Sequence, residues 1–186
     1  MGDPFYTYLF PDPKLRAHYT RGLWEALIHT CLLFGRVYTT PTLEGVACWT
    51  APGKADLGFG RALRSGFALP RSIIRFPSAP RRRMVQALSL LDTERRRHMA
   101  GGYWYLQALG VEPALQGQGV GGRLLEPILL LADADKMSCY LETETEPNVS
   151  FYQKRGFEVL GKLEFPDLSL HLWTMRRPPS PSLPDS

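Results

Sequence analysis

The stretch Gln116-Gly117-Gln118-Gly119-Val120-Gly121-Gly122 is the densest pattern in the chain, with four glycines in six positions. Glycine loses more conformational entropy on folding than any other residue, so such a cluster is costly unless the backbone approaches something closely. Amide groups at a helix start are unpaired and lie at the positive end of the helix dipole. The stretch therefore predicts a loop that holds an anion, with a pyrophosphate as the expected ligand. A flexible loop without a ligand is the alternative.

Regular elements surround this loop. Hydrophobic periodicity and turn residues predict a C-terminal half of alternating strands and helices. They are a strand at 103–111, a helix at 120–134, a strand at 138–143, a helix at 147–155, and strands at 157–163 and 168–175 with a turn at Pro166-Asp167. This order predicts a fold of the α+β or α/β class.

The N-terminal half is less regular. Helical spacing of apolar residues predicts a helix at about 14–34, and residues 44–49 have the character of a strand. From residue 54 to 99 the pattern is helical but broken by prolines. Its last helix carries an apolar stripe flanked by two arginine triplets, 81–83 and 95–97, which we expect to be a solvated rim.

The glycine stretch has two interpretations. Gly117-x-Gly119-x-x-Gly122 fits the dinucleotide-binding fingerprint, and Glu142 follows 20 residues after Gly122, where a ribose-binding acid is expected. A dinucleotide-binding oxidoreductase would need further parallel strand–helix units. Only 64 residues follow Gly122, with one more helix and a hairpin, so the chain is short for that fold.

The second interpretation is a resemblance to a family. Gln116-x-x-Gly119-x-Gly121 resembles the acyl-CoA loop of the GNAT N-acetyltransferase superfamily. The segments Leu141-Glu142-Thr143, Asn148, Phe151-Tyr152 and Gly156-Phe157 resemble its later part, and residues 104–177 are similar to its puromycin N-acetyltransferase branch. The resemblance implies a central mixed, mostly antiparallel twisted sheet flanked by helices. The chain begins after the family's usual first strand, so either the sheet lacks that strand or the N-terminal residues are used differently.

The resemblance also implies roles for individual residues. Tyr152 would donate a proton to the departing thiolate and contact the cofactor. Glu142 ends a strand next to the expected cleft, and from that position it could accept a proton from the acceptor amine, directly or through water. A solvated acidic edge for Glu142 and simple core packing for Tyr152 are the alternatives. The remaining residues implied in acyl-CoA binding are Leu109, Gly110, Val111, Gln116, Gly117, Gln118, Gly119, Val120, Gly121, Gly122 and Asn148.

These roles predict an N-acetyltransferase that moves an acetyl group from acetyl-CoA directly to an amine, with a small molecule as the expected acceptor. A non-catalytic acyl-CoA-binding or interaction domain is the alternative. We expect one GNAT-like domain over residues 1–177, with an acceptor-side half at 1–100 and an acyl-CoA-binding half at 101–177. A disordered tail rich in proline and serine is predicted at 178–186.

Composition and charge limit the kinds of partner and the cellular location that we expect for this chain. The net charge of +4 over 186 residues is too small to indicate a nucleic-acid partner. No apolar run is long enough to span a bilayer, and the N-terminus lacks the pattern of a secretory signal. Three widely spaced cysteines and four histidines without metal-ligand spacing predict neither a disulfide framework nor a metal site. We therefore expect a cytoplasmic monomer or homodimer.

Overall fold

The computed structural model describes residues 3–55, 68–165 and 171–180. The predicted turn at Pro166-Asp167 and residues 181–186 of the predicted tail lie outside these ranges. The helices are α1 (Pro4–Leu9), α2 (Pro13–Phe34), α3 (Ala68–Ile74), α4 (Ser78–His98), α5 (Val120–Ala134) and α6 (Glu146–Gln153). The strands are β1 (Gly35–Thr39), β2 (Gly45–Thr50), β3 (Tyr103–Val111), β4 (Ser138–Thr143), β5 (Glu158–Glu164) and β6 (His171–Arg177).

The six strands form one sheet in the order β1-β2-β3-β4-β6-β5. Every neighbouring pair is antiparallel except β3 and β4, which run parallel with α5 as their crossover. This mixed, mostly antiparallel sheet flanked by helices confirms the predicted α+β class. The boundaries predicted for β3, α5 and β4 agree with the structure.

The edge of the sheet differs from the expectation. β1 was not predicted, yet it pairs with β2 along its whole length, from Gly35 opposite Thr50 to Thr39 opposite Val46. The possibility that the sheet lacks its first strand is therefore wrong. The chain passes from Phe34 at the end of α2 directly into β1, without a turn to mark the change. Gly35 allows this passage, because a Cβ there would lie 1.8 Å from the carbonyl oxygen of Trp49.

Both N-terminal helices begin with the same Asp-Pro pair. The Asp3 carboxylate accepts a hydrogen bond from the amide of Tyr6 at 3.1 Å, and the Asp12 carboxylate accepts one from the amide of Lys14 at 2.7 Å. The proline that follows each aspartate occupies the first turn, where no amide hydrogen is needed. These N-terminal caps determine the residues at which α1 and α2 begin.

The sheet separates two groups of buried side chains. On one face α5 packs on the central strands, and its Leu125 and Ile128 are fully buried. Burying such a side chain stabilises the fold by about 1.5–3 kcal/mol. On the other face Tyr103 and Tyr140 are buried. A cluster around Phe10 packs α1 against α2 and α4.

The C-terminal strand is tied to α5 by a bidentate ion pair. Arg177 donates from both terminal nitrogens to the Asp133 carboxylate at 2.7 Å, and the amide of Ser180 donates to the same carboxylate at 2.7 Å. Ordered contacts thus reach past Arg177, where the folded part was expected to end. Among the helices that the structure describes, none combines the length and the apolar character that crossing a bilayer requires.

Candidate functional site

The candidate site lies where the parallel strands β3 and β4 separate. They pair over residues 103–106 of β3 and 138–141 of β4, and no described pairing joins them beyond that point. β3 stays paired with β2 as far as Val111. The backbone edge of residues 107–111 that faces away from β2 is therefore open. It forms one wall of a cleft between the two strands, and the predicted cofactor residues Leu109, Gly110 and Val111 lie on it.

A β-bulge marks the start of the open segment. Cys48 of β2 pairs with Ala108 and Trp49 pairs with Leu106, so Gln107 is an extra residue on β3. Bulges increase the local twist and bend the strand that carries them. The bend explains why β3 leaves β4 here although it keeps its pairing with β2.

The glycine stretch lies at the end of this cleft, between β3 and α5. Gly117 and Gly119 have φ values of +79° and +81°, in the left-handed region that favours glycine. Gly119 caps α5, and no side chain caps the first turn of that helix. Residues 116–119 are exposed, whereas the side chain of Val120 is buried in the core. The unpaired amides at the start of α5 are thus available to an anionic ligand.

The two glutamines of the loop support its backbone. The side-chain amide of Gln116 donates to the carbonyl of Val111 at 3.1 Å, and that of Gln118 donates to the carbonyl of Ala114 at 3.0 Å. Arg123 donates to the carbonyl of Gln118 at 3.3 Å. All three bonds use carbonyl oxygens. The backbone amides of Gln116 and Gln118 donate to the carbonyls of Pro113 and Leu115 at 3.4 Å, so the amides at the start of α5 are the ones left for an anionic ligand.

The other two glycines of the stretch serve packing rather than backbone conformation. A Cβ on Gly121 would lie 3.2 Å from the ring of Phe151, and a Cβ on Gly122 would lie 2.5 Å from the guanidinium of Arg155. That guanidinium lies 3.7 Å from the centroid of the Phe151 ring. These glycines therefore let α5 approach Phe151 on α6 and Arg155 just after that helix. Gly117 and Gly119, in contrast, shape the loop itself.

The predicted residues of α6 occupy different environments. Tyr152 is buried and makes edge contacts with the rings of Phe151 and Phe157 at centroid distances of 5.0 and 5.7 Å. Burial, reinforced by the charge of Glu144, raises the pKa of Tyr152 well above its usual range, so the phenol keeps its proton. Asn148 is exposed on the first part of the helix.

Glu142 lies on β4 next to the point where the strands separate. One carboxylate oxygen accepts a hydrogen bond from the hydroxyl of Tyr105 at 2.7 Å. The other oxygen is buried and has no hydrogen-bond partner among the described residues. Burial raises the pKa of Glu142 to about 7, although the Tyr105 hydroxyl and the charge of Arg95 favour the ionised form. A carboxylate that titrates near neutral pH is suited to accept a proton.

Glu144 directly follows β4, two residues after Glu142, and the charges of these two residues interact. Burial and the charges of Asp3 and Glu142 raise the pKa of Glu144 to about 7. The charges of Asp3 and Glu144 also contribute to a raised pKa of Tyr6, after burial. The start of α1 thus faces the end of β4. The structure gives no direct contact between Glu142 and Tyr152, but Glu144 interacts electrostatically with both.

Comparison with known families gives a match in the part of the chain that forms the cleft. Residues 83–159, which include β3, the glycine stretch, α5, β4 and α6, match the model of the acetyltransferase (GNAT) domain. Over these residues the chain is similar to a GNAT acetyltransferase domain. Acetyl-CoA is the acetyl donor of this superfamily. These matches give no support to the puromycin N-acetyltransferase branch in particular, so that part of the predicted resemblance is not retained.

Curated relatives agree with the GNAT assignment. An uncharacterized N-acetyltransferase of Schizosaccharomyces pombe is 29% identical over 143 residues, which cover 73% of this chain and 56% of the relative. A peptidyl-lysine N-acetyltransferase, YjaB of Salmonella typhimurium, is 36% identical over 64 residues, 34% of this chain and 43% of the relative. The chain thus spans about half the length of the curated relatives it matches.

Solved structures show the same fold over almost the whole chain. A histone acetyltransferase HPA2-related protein of Corynebacterium glutamicum has a TM-score of 0.65 at 23% identity, covering 98% of this chain and 86% of its own. Arylalkylamine N-acetyltransferase 2 of Aedes aegypti has a TM-score of 0.62 at 12% identity, covering 96% and 88%. The fold shared with these structures therefore includes the N-terminal helices and β1 as well as residues 83–159.

The residues of the cleft fit acetyl-CoA better than a dinucleotide. An open strand edge at residues 107–111 leads to an uncapped helix start at Val120, and this arrangement offers backbone groups to an extended ligand that ends in phosphates. A dinucleotide-binding domain requires successive parallel strands. The described GNAT sheet has a single parallel pair.

One contribution to the site was not predicted. Arg95 was expected in a solvated rim, but its side chain is buried beneath the sheet, 4% exposed, and donates to the hydroxyl of Tyr103 at 2.6 Å. Arg96, the next residue, has a 59% exposed side chain. The signal for this difference is in the helix spacing, because Arg95 follows Leu91 by four residues on the apolar stripe of α4.

Proposed function

We propose that this chain is an N-acetyltransferase that moves the acetyl group of acetyl-CoA directly to the amine of a small molecule. The observation that carries the proposal is the cleft between β3 and β4, with an uncapped helix start at one end and the buried carboxylate of Glu142 at the other. In this proposal residues 1–100 supply the acceptor side and residues 101–177 supply the acyl-CoA side. Residues 178–186 form the tail.

The donor side uses backbone groups. The amides of Gly119 to Gly122 would hold the pyrophosphate at the start of α5. The open edge of Leu109, Gly110 and Val111 would pair with the pantetheine, and the Leu109 amide would donate to the thioester oxygen. Acetyl-CoA supplies the activated thioester. Asn148, exposed near the start of α6, is an additional contact to the cofactor or to bound water.

The chemical step needs two proton transfers. The amine nitrogen attacks the thioester carbonyl, the new C–N bond forms, and the C–S bond breaks. Glu142, directly or through one water, takes the proton that the amine loses, and its pKa of about 7 keeps a large fraction ionised at neutral pH. Tyr152 gives its phenolic proton to the departing thiolate, and burial keeps that phenol protonated until it is used.

The acceptor side is acidic and aromatic. Asp3 and Glu144 are close enough to interact electrostatically, and the ring of Tyr6 lies 6.2 Å from that of Trp24. Carboxylates attract a protonated amine, and aromatic rings can contact its apolar part or its charge. These features support a small, positively charged amine as the acceptor. A protein lysine is the second candidate, favoured by the match of residues in this chain to a peptidyl-lysine N-acetyltransferase.

Calorimetry and a thiol-release assay test the proposal together. We expect the purified chain to bind acetyl-CoA and CoA, and not NAD. At 100 times its dissociation constant, acetyl-CoA should stabilise the fold by about 2.7 kcal/mol. We then expect thiol release with at least one member of a panel of small amines, and less with lysine-containing peptides.

The outcomes separate the alternatives. If the chain binds NAD but not acetyl-CoA, the assignment of acetyl-CoA as the donor is wrong, and the dinucleotide interpretation is favoured instead. Acetyl-CoA binding without thiol release on any amine or peptide would favour the non-catalytic acyl-CoA-binding domain. Release only with peptides would replace the small-molecule acceptor by a protein lysine.

A further inference from the structure

A group of buried and half-buried polar side chains lies on the face of the sheet that faces α4. The acetyl transfer described above uses only one of them. The group consists of Arg95 on α4, Tyr103 and Tyr105 on β3, and Tyr140 and Glu142 on β4. We call it the tyrosine cluster. Tyr140 is fully buried, Tyr103 is 7% exposed, and Arg95 is 4% exposed.

The contacts in the tyrosine cluster run from α4 to Glu142. Arg95 donates to the hydroxyl of Tyr103 at 2.6 Å, and its guanidinium lies 5.7 Å from the centroid of the Tyr105 ring. Tyr105 donates to the Glu142 carboxylate at 2.7 Å. The ring of Tyr140 contacts the other two tyrosines edge-on, at centroid distances of 6.1 and 5.5 Å.

Arg95 is itself held by neighbours on its own helix. It forms a short ion pair with Asp92, which also accepts a hydrogen bond from Arg96 at 2.8 Å. Because burying a charged group without partners costs several kcal/mol, a buried arginine needs such compensation. The fold therefore holds a cation, with its partners, against the inner face of the sheet.

We propose that Arg95 is a positioning residue for Glu142: it packs against Tyr105, across the tyrosine cluster, and so holds in place the hydroxyl that donates to the Glu142 carboxylate. This inference rests on the proposed role of Glu142 as the base. Tyr105 fixes one carboxylate oxygen, and the second oxygen has no hydrogen-bond partner among the described residues. In this proposal the second oxygen takes the proton of the amine, directly or through a bridging water.

The surroundings of Glu142 show why such a residue is useful. Burial opposes ionisation of Glu142, and the negative charge of Glu144, just after the same strand, acts in the same direction. The Tyr105 and Tyr140 hydroxyls and the Arg95 cation lower the pKa of Glu142 from the value that burial alone would give. From β6, Thr174 lies opposite Glu142, and Arg176 lies opposite Tyr140.

The test is the titration of Glu142 in the full chain. The carboxyl ¹³C signal of Glu142 is assigned by its loss in Glu142→Gln and followed against pH in wild type, Arg95→Met and Arg95→Lys. Arg96→Met is the matched control, because Arg96 also binds Asp92 but is exposed. We expect Arg95→Met to move the midpoint upward by about one pH unit, since an opposite charge has been removed. Arg95→Lys should move it less, and Arg96→Met should leave it unchanged.

Steady-state kinetics give the second readout. In Arg95→Met the acidic limb of the kcat profile should move to higher pH together with the carboxyl midpoint, while KM for acetyl-CoA stays the same. A purely structural role of Arg95 would lower the melting temperature without moving either midpoint. That result would overturn the proposal.

A second variant keeps the proposal testable if Arg95→Met does not fold. Tyr105→Phe removes the donor to Glu142 and retains the ring beneath the guanidinium, so it should also raise the carboxyl midpoint. An unchanged midpoint in Tyr105→Phe would overturn the proposal in that case. Failure of the proposed function can be told apart from failure of this inference. If Glu142→Gln keeps full activity, Glu142 is not the base, whatever the titrations show.

Discussion

Replacing Glu142 with glutamine should make the protein more stable and less active at the same time. The substitution keeps the size of the side chain and an oxygen that can accept the hydrogen bond from Tyr105, but it removes the ionisable group. In the folded protein burial raises the pKa of Glu142 from 4.5 to about 7. The folded state therefore binds this proton more tightly than the unfolded chain does.

The sign and size of the stability effect follow from this difference. Between pH 4.5 and 7 the native state holds more protons than the unfolded state, so the stability that wild type derives from neutral Glu142 is lost as the pH rises. A pKa of about 7 against an ordinary value of 4.5 corresponds to a loss of about 3 kcal/mol once the pH exceeds 7. Glu142→Gln does not have this loss, so it should be more stable than wild type at pH 8 and similar to it at pH 4.

Thermal unfolding of both proteins at pH 4 and pH 8 measures the effect. For a chain of this length, about 3 kcal/mol corresponds to roughly 6–12 °C in melting temperature. Loss of a positioned base should also lower kcat about 100-fold or more. Glu158→Gln, on the exposed side of β5, is the control and should give no pH-dependent gain. The reasoning is refuted if the Glu142→Gln advantage is the same at both pH values, or if the variant keeps full activity.

Two further variants test the donor side and the proposed acid. Gly119→Ala forces a side chain into a φ of +81°, so acetyl-CoA affinity should fall at least tenfold. Gly53→Ala is the control: its φ is +70° and the space around it is open, so it imposes a similar strain of about 1–2 kcal/mol but should not change the affinity. Equal acetyl-CoA affinities of the two variants by calorimetry would show that the loop does not bind the cofactor. Tyr152→Phe should lower kcat about 100- to 10,000-fold at neutral pH with unchanged acetyl-CoA affinity. Its defect should shrink as the pH approaches about 8.5, where a thiolate leaves without a proton; a variant as fast as wild type at pH 7 would return Tyr152 to core packing.

The C-terminal half could be predicted because each of its elements has a regular pattern and a clear end. The β3 strand, α5 and β4 follow one another with the glycine stretch as the only long connection, and their boundaries agree with the structure. The elements of the N-terminal half were harder to predict, because their sequence patterns are less regular. The Asp3-Pro4 pair begins α1 in the same way as Asp12-Pro13 begins α2, so both helix starts have a recognisable signal in the sequence.

The cleft itself could not be derived from pattern alone. Which residues of β3 pair with β4, and where pairing ends, depend on the bulge at Gln107, and a bulge leaves no distinctive pattern in a sequence that otherwise alternates. The glycine stretch did predict an anion site. It did not reveal that Cβ atoms on Gly121 and Gly122 would lie 3.2 Å from Phe151 and 2.5 Å from Arg155.

Arg95 shows how a buried charge can be recognised before its partners are known. The apolar stripe of α4 runs through Met84, Leu88 and Leu91, and the next position on the same face is residue 95. A cation at a stripe position must be desolvated if the helix keeps its orientation, and the cost is met only when acceptors lie across the interface. Tyr103 on β3 supplies one acceptor at 2.6 Å, and the cation also lowers the pKa of Glu142, to which Tyr105 donates. The position of one arginine in a triplet, rather than the triplet's total charge, therefore connects α4 to the proposed base.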